Sequence, residues 1–283
     1  MTVSIGPTVR RRRLGTELRR LREAQCIKLE EVADKLGLAP STLSRIETGK
    51  APTRSVYLFS MFDLYGVSDP GQRQVLTEMA REGHRKGWWA AYEDVLPTGF
   101  GIYVGLEAEA SSVRAFESLV VHGLLQTEDY ARSHMRSGRP QDSDSAIGKL
   151  VAARMERQRI LAGDKPPLLW YVIDEGALRH MIGGPAVMGA QLDRLIEAAG
   201  LPGVVVQVLP FRAHDNAGAD GAITIYEFAE APAVCYTECY SGGRIVEGRD
   251  EVAELMTVMS LIRASALSPH ESLDLIGRIR SEI

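Results

Sequence analysis

Long apolar runs are missing from this 283-residue chain. No stretch approaches the roughly 18–20 uninterrupted apolar residues of a membrane span, so no role in a membrane is expected. Cysteine is scarce: three cysteines make no disulfide framework, and an odd number fits a reducing compartment. The arginines near the start are not followed by an apolar stretch, so neither a secretory nor a twin-arginine signal is expected, and the cytoplasm is the expected location. The short patterns of common chemistries are missing too, with no Gly-rich phosphate loop, no nucleophile elbow and no His/Glu zinc helix. Cys235 and Cys239 fall four apart in or near a strand, on one face, but no second ligand pair follows at zinc spacing, so they read as core cysteines. Asp174, Glu175, His180, His214, Asp215, Glu227 and Glu238 would suffice for an acid/base pair on paper, yet none shows a diagnostic spacing. No catalytic residue, cofactor or metal is expected.

What is present is an ordinary globular composition, 45% hydrophobic and 25% charged, in a length that suggests about two domains. Charge is divided unevenly: residues 1–66 carry 12 Lys+Arg against 7 Asp+Glu, and the remainder 21 against 30. A polyanion is held at a basic end largely through counterion release, and an acidic remainder should not lie along it.

That basic end has helical apolar spacing interrupted by glycine. Leu14, Leu18 and Leu21 fall at i, i+4, i+7, with Arg19, Arg20 and Arg22 on other faces, predicting a first amphipathic helix. Leu29, Val32, Ala33 and Leu36 predict a second, ended by Gly37 at positive φ with Leu38 pinning the turn to the core. Pro40 suits the first turn of a third helix, in which Leu43 and Ile46 point inward and Gly49 follows the end. Ser41, Thr42, Ser44 and Arg45 are left outward, small enough with one Arg to approach phosphates and base edges. Val56, Leu58, Phe59, Phe62 and Leu64 predict a fourth helix closing the core. The run Arg10 to Arg13, just before the first helix, reads either as a basic arm on phosphates or in a minor groove, or as a solvated tail.

Through LRRLREAQ, LEEVADKLGL and PSTLSRIETGK the chain resembles the XRE, lambda-repressor-like helix-turn-helix family over roughly residues 10–68. The resemblance implies that Glu47 buttresses the loop after the recognition helix and that Pro40, Ser41 and Arg45 are base-reading positions. There are two departures from the family pattern. A phosphate-holding Gln is replaced around Lys28 and Leu29, and Cys26 stands where a Gly usually ends the first helix, suggesting a different turn. The expected DNA-contacting set is Arg10, Arg11, Arg12, Arg13, Lys28, Pro40, Ser41, Thr42, Ser44, Arg45 and Lys50.

Residues 69–101 read as a fifth helix, about Pro70 to Lys86, then a linker with aromatic anchors at Trp88 and Trp89 and breaks at Pro97, Gly99 and Gly101. Residues 102–283 read as a mixed α/β domain. Thr127 caps a helix through Arg136, and Ser143 or Asp144 starts a long one to about Leu161. Strands are expected at Pro167–Ile173, Gly203–Leu209, Ala222–Phe228, Ala233–Glu238 and Ser241–Val246, with a helix at Pro185–Ala199. Two helices finish the chain, the second capped by Ser268 with Pro269 at its first position. The expected fold is α+β overall, an all-α five-helix domain followed by a mixed α/β effector-type domain.

The motifs VVHGLLQTEDYA, RMERQRIL, IDEGALRHMIGGP, QLDRLIE, VQVLPF and IRASALSPHES resemble the effector-type domain of WhiJ-like actinomycete regulators. That resemblance implies transcriptional control and, for many relatives, a small acidic partner protein in an antitoxin-like arrangement, but no known ligand. His122 replaces a usual Pro, and Ile223 with Tyr226 depart from a Phe-rich strand.

Candidate ligand or partner residues in this half are Arg154, Arg157, Gln158, Glu175, His214 and Asp215. Arg154, Arg157 and Gln158 form one polar stripe, able to hold an anion or a partner's carboxylates, or else to pair internally with Glu156 or Glu175. His214, Asp215 and Asn216 lie in a Gly-bearing loop after a strand, where α/β sheets bind ligands, or form a polar turn. Gly123–Thr127 reads as a buried loop closing a helix start. The expectation is a homodimeric regulator of a double-stranded DNA operator, acting at the nucleoid, that responds to a small-molecule effector or a small acidic partner protein; the alternative is a DNA-tethered enzyme.

Overall fold

The computed structural model describes residues 9–83, 88–92, 94–96, 100–229, 231–239 and 242–283. The chain divides into two compact units, Met1–Glu109 and Ala110–Ile283.

The first unit is helical: α1 (Val9–Ala24), α2 (Leu29–Leu36), α3 (Pro40–Glu47), α4 (Ser55–Leu64) and α5 (Pro70–Gly83), then a 3-10 turn at Trp88–Tyr92 and α6 (Phe100–Glu109). Leu14, Leu18 and Leu21 meet Val32, Ala33, Leu43, Ile46, Leu58 and Phe62 in one core, each large aliphatic side chain contributing about 1.5–3 kcal/mol by burial. Leu76 and Ala80 of α5 join the same core. Gly37 takes φ +65°, and the Leu38 N–H donates to Ala33 O at 2.9 Å, stopping α2 as the sequence predicted.

Two expectations are corrected. Val56 and Phe59 of α4 are 63% and 47% exposed; the inward stripe is Leu58, Met61, Phe62 and Tyr65, the i, i+3, i+4, i+7 set. No helix was expected at α6, which begins at the end of the expected linker and runs through the first residues read as the α/β domain; its two glycines and β-branched residues weaken its helical signal. Pro97 and Gly99 lie outside the described residues.

The turn after α1 is also not a different turn. Cys26 adopts φ +55°, the left-handed region a glycine would take, and its N–H donates to Glu23 O at 2.9 Å. A Cβ is strained there, so Cys26→Gly is expected to raise the stability of this unit by about 1 kcal/mol. Urea denaturation checks it, and a lowered midpoint would contradict the strain.

The second unit is built on a six-stranded mixed sheet in the order β3-β2-β1-β4-β5-β6, with β1 (Ser112–Glu117), β2 (Leu168–Asp174), β3 (Val204–Leu209), β4 (Ile223–Glu227), β5 (Val234–Cys239) and β6 (Gly242–Val246). β1, β2 and β3 are parallel; β4, β5 and β6 continue antiparallel. Between β1 and β2 run α7 (Glu128–Gly138) and α8 (Asp144–Gln158). Between β2 and β3 run α9 (Glu175–Arg179) and α10 (Pro185–Ala199), and α11 (Arg249–Ser265) and α12 (Pro269–Ser281) finish the chain.

The predicted caps are present. Thr127 accepts from the Tyr130 N–H, Ser143 from Ala146, and Ser268 with Glu271 forms a full capping box. On one sheet face Phe116, Val172, Leu209, Ile223, Ile225 and Cys235 pack on Val252, Met259 and Ile262 of α11, so Cys235 is a core residue. The opposite face presents Glu117 and Tyr171, their neighbours along β1 and β2.

Candidate functional site

The helix-turn-helix geometry starts from α3. Ala39 caps it in an extended conformation, Pro40 occupies the first turn, and Leu43 and Ile46 are buried. That burial turns Pro40, Ser41 and Arg45 fully outward, with Thr42 and Ser44 partly so. Lys28, the N-cap residue of α2, and Lys50, just past α3, are both exposed. Arg54, which caps α4 and is exposed, was not anticipated; its signal is its place four residues after Lys50 at a helix start.

The orientation of α3 is fixed from behind by an ion pair. Arg22 of α1 donates through Nε to Glu47 Oε1 at 2.6 Å and through Nη2 to Oε2 at 2.9 Å, and its Nη1 donates to Ile27 O at 2.9 Å. The two hydrogen bonds to Glu47 hold the Arg22 guanidinium above its usual value. Glu47 is therefore structural, but its partner is the first helix. Arg22 was expected to face away from the core; it lies four residues after Leu18, on the apolar face, and that spacing was its available signal.

The arginine run is not an arm. Arg10 to Arg13 lie inside α1, which begins at Val9. Arg11 is buried, its stem so close to Gly83 of α5 that a Cβ there would sit 2.7 Å from Arg11 Cγ. Burial pushes the Arg11 guanidinium below its usual value. A long aliphatic stem can cover apolar surface, and Arg11 does so here. The side chain of Arg10 lies outside the described residues.

In the second unit the expected candidates do not form one site. Arg154, Arg157 and Gln158 gather around the loop after β1: Arg154 Nη1 donates to Gln126 Oε1 at 2.7 Å, and Gln158 Nε2 donates to Gly123 O at 2.9 Å and Gln126 O at 2.7 Å. Of the suggested internal partners, Glu156 pairs with Arg159 at 2.8 Å and Glu175 with Arg179 at 2.8 Å. Glu175 Oε2 also accepts the Phe211 N–H at 2.9 Å, holding the start of the loop that carries His214 and Asp215. His214 and Asp215 are exposed. Among the described residues no group of three or more His, Cys, Asp or Glu is placed to hold a metal ion.

The loop itself is buried, as expected. The Val121 N–H donates to Tyr130 Oη at 3.2 Å, the His122 N–H to Tyr171 Oη at 2.7 Å, and Gln191 Nε2 to Leu125 O at 2.8 Å. A Pro at position 122 would lack that N–H, so His122 adds a tie as well as a ring. Sequence reasoning missed Glu117 and treated His122 as a packing change. Burial and the charge of Glu238 push the Glu117 carboxyl up to about 8, against the opposing pull of Arg157 and Arg154. Burial, with the same two arginines, pushes the His122 imidazole well below its usual value.

A helix-turn-helix domain family matches residues 13–76, and a family described as a domain of unknown function, DUF5753, matches residues 100–278. No curated protein and no solved structure matches the chain. Among the described residues no helix is long and apolar enough to cross a membrane. A helix-turn-helix domain is a DNA-binding element, so the chain reads as a DNA-binding regulator whose larger part is the DUF5753 domain. With most of its length inside that match and the helix-turn-helix ahead of it, the chain belongs to the DUF5753 family.

Proposed function

We propose that the chain is a sequence-specific, homodimeric transcriptional regulator of the XRE type, whose WhiJ-like C-terminal domain senses a small molecule or a partner protein and biases operator binding. The observation that carries the first half is the outward face of α3, where Ser41 and Arg45 stand exposed over a buried Arg22–Glu47 pair. Short hydroxyls let the backbone approach phosphates, and Arg45 supplies the long donor fork suited to a base edge. Two-fold dimers meet half-sites about one helical turn apart, which explains how a small reading surface reaches useful affinity. In this reading the protein works at the nucleoid in the cytoplasm, and the C-terminal domain acts by binding rather than by catalysis.

Arg45→Ala combined with Ser41→Ala is expected to reduce discrimination between operator and random duplex by about 1–3 kcal/mol for each base edge no longer read. Competition titrations on an operator obtained by selection measure it. Unchanged discrimination would remove α3 as the reading helix.

A protein partner is the second reading for the C-terminal domain, favoured by Leu119, Met181 and Phe211. These are 65%, 47% and 63% exposed and stand in segments that follow β1, β2 and β3. Large exposed apolar side chains at one end of a sheet suit a protein surface. A stoichiometric small acidic protein recovered with the full chain supports this reading, whereas a stabilising metabolite supports sensing.

A further inference from the structure

The strand order turns back at β1, which has parallel β2 on one side and antiparallel β4 on the other. Ligands of open α/β sheets gather outside the carboxyl end of the strand where the order reverses. At that end of β1 stands Glu117. The register Phe116↔Ile223 and Ile223↔Thr237 brings Glu117 of β1 and Glu238 of β5 to the same edge and face.

Glu117 keeps some solvent access although protein surrounds it. It is faced by Glu238 from β5 and by Arg154 and Arg157 from α8, and it bears in turn on Tyr130 of α7 and Tyr171 of β2. At neutral pH its carboxyl is protonated and offers an O–H donor.

His122 supplies a second donor. Its ring is buried, and the Leu124 N–H reaches Nδ1 at 3.4 Å, so the neutral imidazole carries its proton on Nε2. Among the described residues that buried Nε2 has no hydrogen-bond partner. Buried donors are almost always matched, so a buried N–H left over in a polar cluster is a donor available to a ligand. The same cluster is drawn close to main chain: a Cβ on Gly123 would lie 2.9 Å from Arg157 Nη1 and 3.3 Å from Arg154 Nη1.

We propose that this cluster at the carboxyl end of β1 binds a small organic carboxylate, whose oxygens accept from His122 Nε2–H and the Glu117 O–H in the positive field of Arg154 and Arg157. The inference rests on the effector-sensing reading above. Tyr130 and Tyr171, whose hydroxyls already accept from Val121 and His122, are fully buried and brace the loop that carries His122. Ionised Glu117 loses its donor and repels a carboxylate, so affinity falls as pH rises through about 8.

Calorimetric titration of the full chain with acetate, succinate and benzoate, and with tetramethylammonium as a cation that does not titrate, tests this. The expected result is saturable binding of a carboxylate at pH 6.5 that weakens about thirty-fold by pH 9.5, the protonated fraction lost by a group titrating near 8. Glu117→Gln keeps a donor at both pH values and should abolish the pH dependence. His122→Phe should weaken binding at least about ten-fold at both, as loss of a buried donor to a charged acceptor does. No binding of any of the three carboxylates, binding of tetramethylammonium instead, or carboxylate binding indifferent to both substitutions would overturn the proposal. Operator affinity measured on the same preparations separates the two levels: operator binding without carboxylate binding removes this site and leaves the DNA-binding reading standing.

Discussion

Glu47→Ala is expected to cost the helix-turn-helix unit about 3–5 kcal/mol, the range for removing one partner of a buried ion pair. Of the pair's side chains, Glu47 is 3% and Arg22 10% exposed, and both carboxylate oxygens accept from the same guanidinium. Truncation leaves Arg22 charged and buried, with the bond from Nη1 to Ile27 O and a longer pairing of Nη2 with the exposed Glu23 at 3.7 Å. Because Glu47 is the last residue of α3, its removal also frees the helix that carries Arg45, so operator binding should fall with stability. The double substitution Arg22→Met with Glu47→Leu separates charge from packing. Removing both charges together leaves none uncompensated, so most of the lost stability should return. Urea denaturation of the three proteins measures this, and a loss below about 1 kcal/mol in Glu47→Ala would mean that the pair behaves as an exposed one.

Where local chemistry decides an element, the chain could be read directly. Pro185–Ala199 is helical over the predicted limits because Pro185 can only begin a helix, and Ser268 with Glu271 marks a start by its own hydrogen bonds. GVVVQVL was legible as a strand from its β-branched run, and such nearly continuous apolar runs are what parallel strands covered on both faces require. β1 was not, although it is central: Ser112, Arg114 and Glu117 interrupt the apolar pattern, and Arg114 is held by Glu227 of β4 at 2.9 Å, a partner over a hundred residues away.

The same cause hid half of the polar cluster. The stripe of Arg154, Arg157 and Gln158 was visible in helical spacing, but Glu117 and Glu238 become neighbours only through the register of three strands. Arg11 failed in the other direction. A run of four arginines invites a solvated reading, although Arg11 lies three residues before Leu14 and seven before Leu18, on the apolar stripe that packs inward.

Gly15→Ala is expected to destabilise the first unit by about 2–3 kcal/mol, as overpacking at a tight approach does, against the sign of helix propensity. A Cβ on Gly15 of α1 would lie 2.5 Å from both Ile46 O and Glu47 O, the closing carbonyls of α3. Those oxygens belong to main chain and cannot rotate aside, so the two helices must separate. Alanine is otherwise favoured over glycine inside a helix by about 1 kcal/mol, which makes the sign of the result informative. Gly148 of α8 is the control, since nothing lies within 4 Å of a Cβ built there, and Gly148→Ala should stabilise its own unit by about 0.5–1 kcal/mol. Separation of α1 from α3 also strains the Arg22–Glu47 pair, because its two residues sit on these two helices. Gly15→Ala and Glu47→Ala should therefore be less than additive, the double variant losing less than the sum of the two single losses. Denaturation midpoints of the two single variants, the double variant and the control measure this; a stabilising Gly15→Ala would mean that α1 and α3 do not approach through glycine.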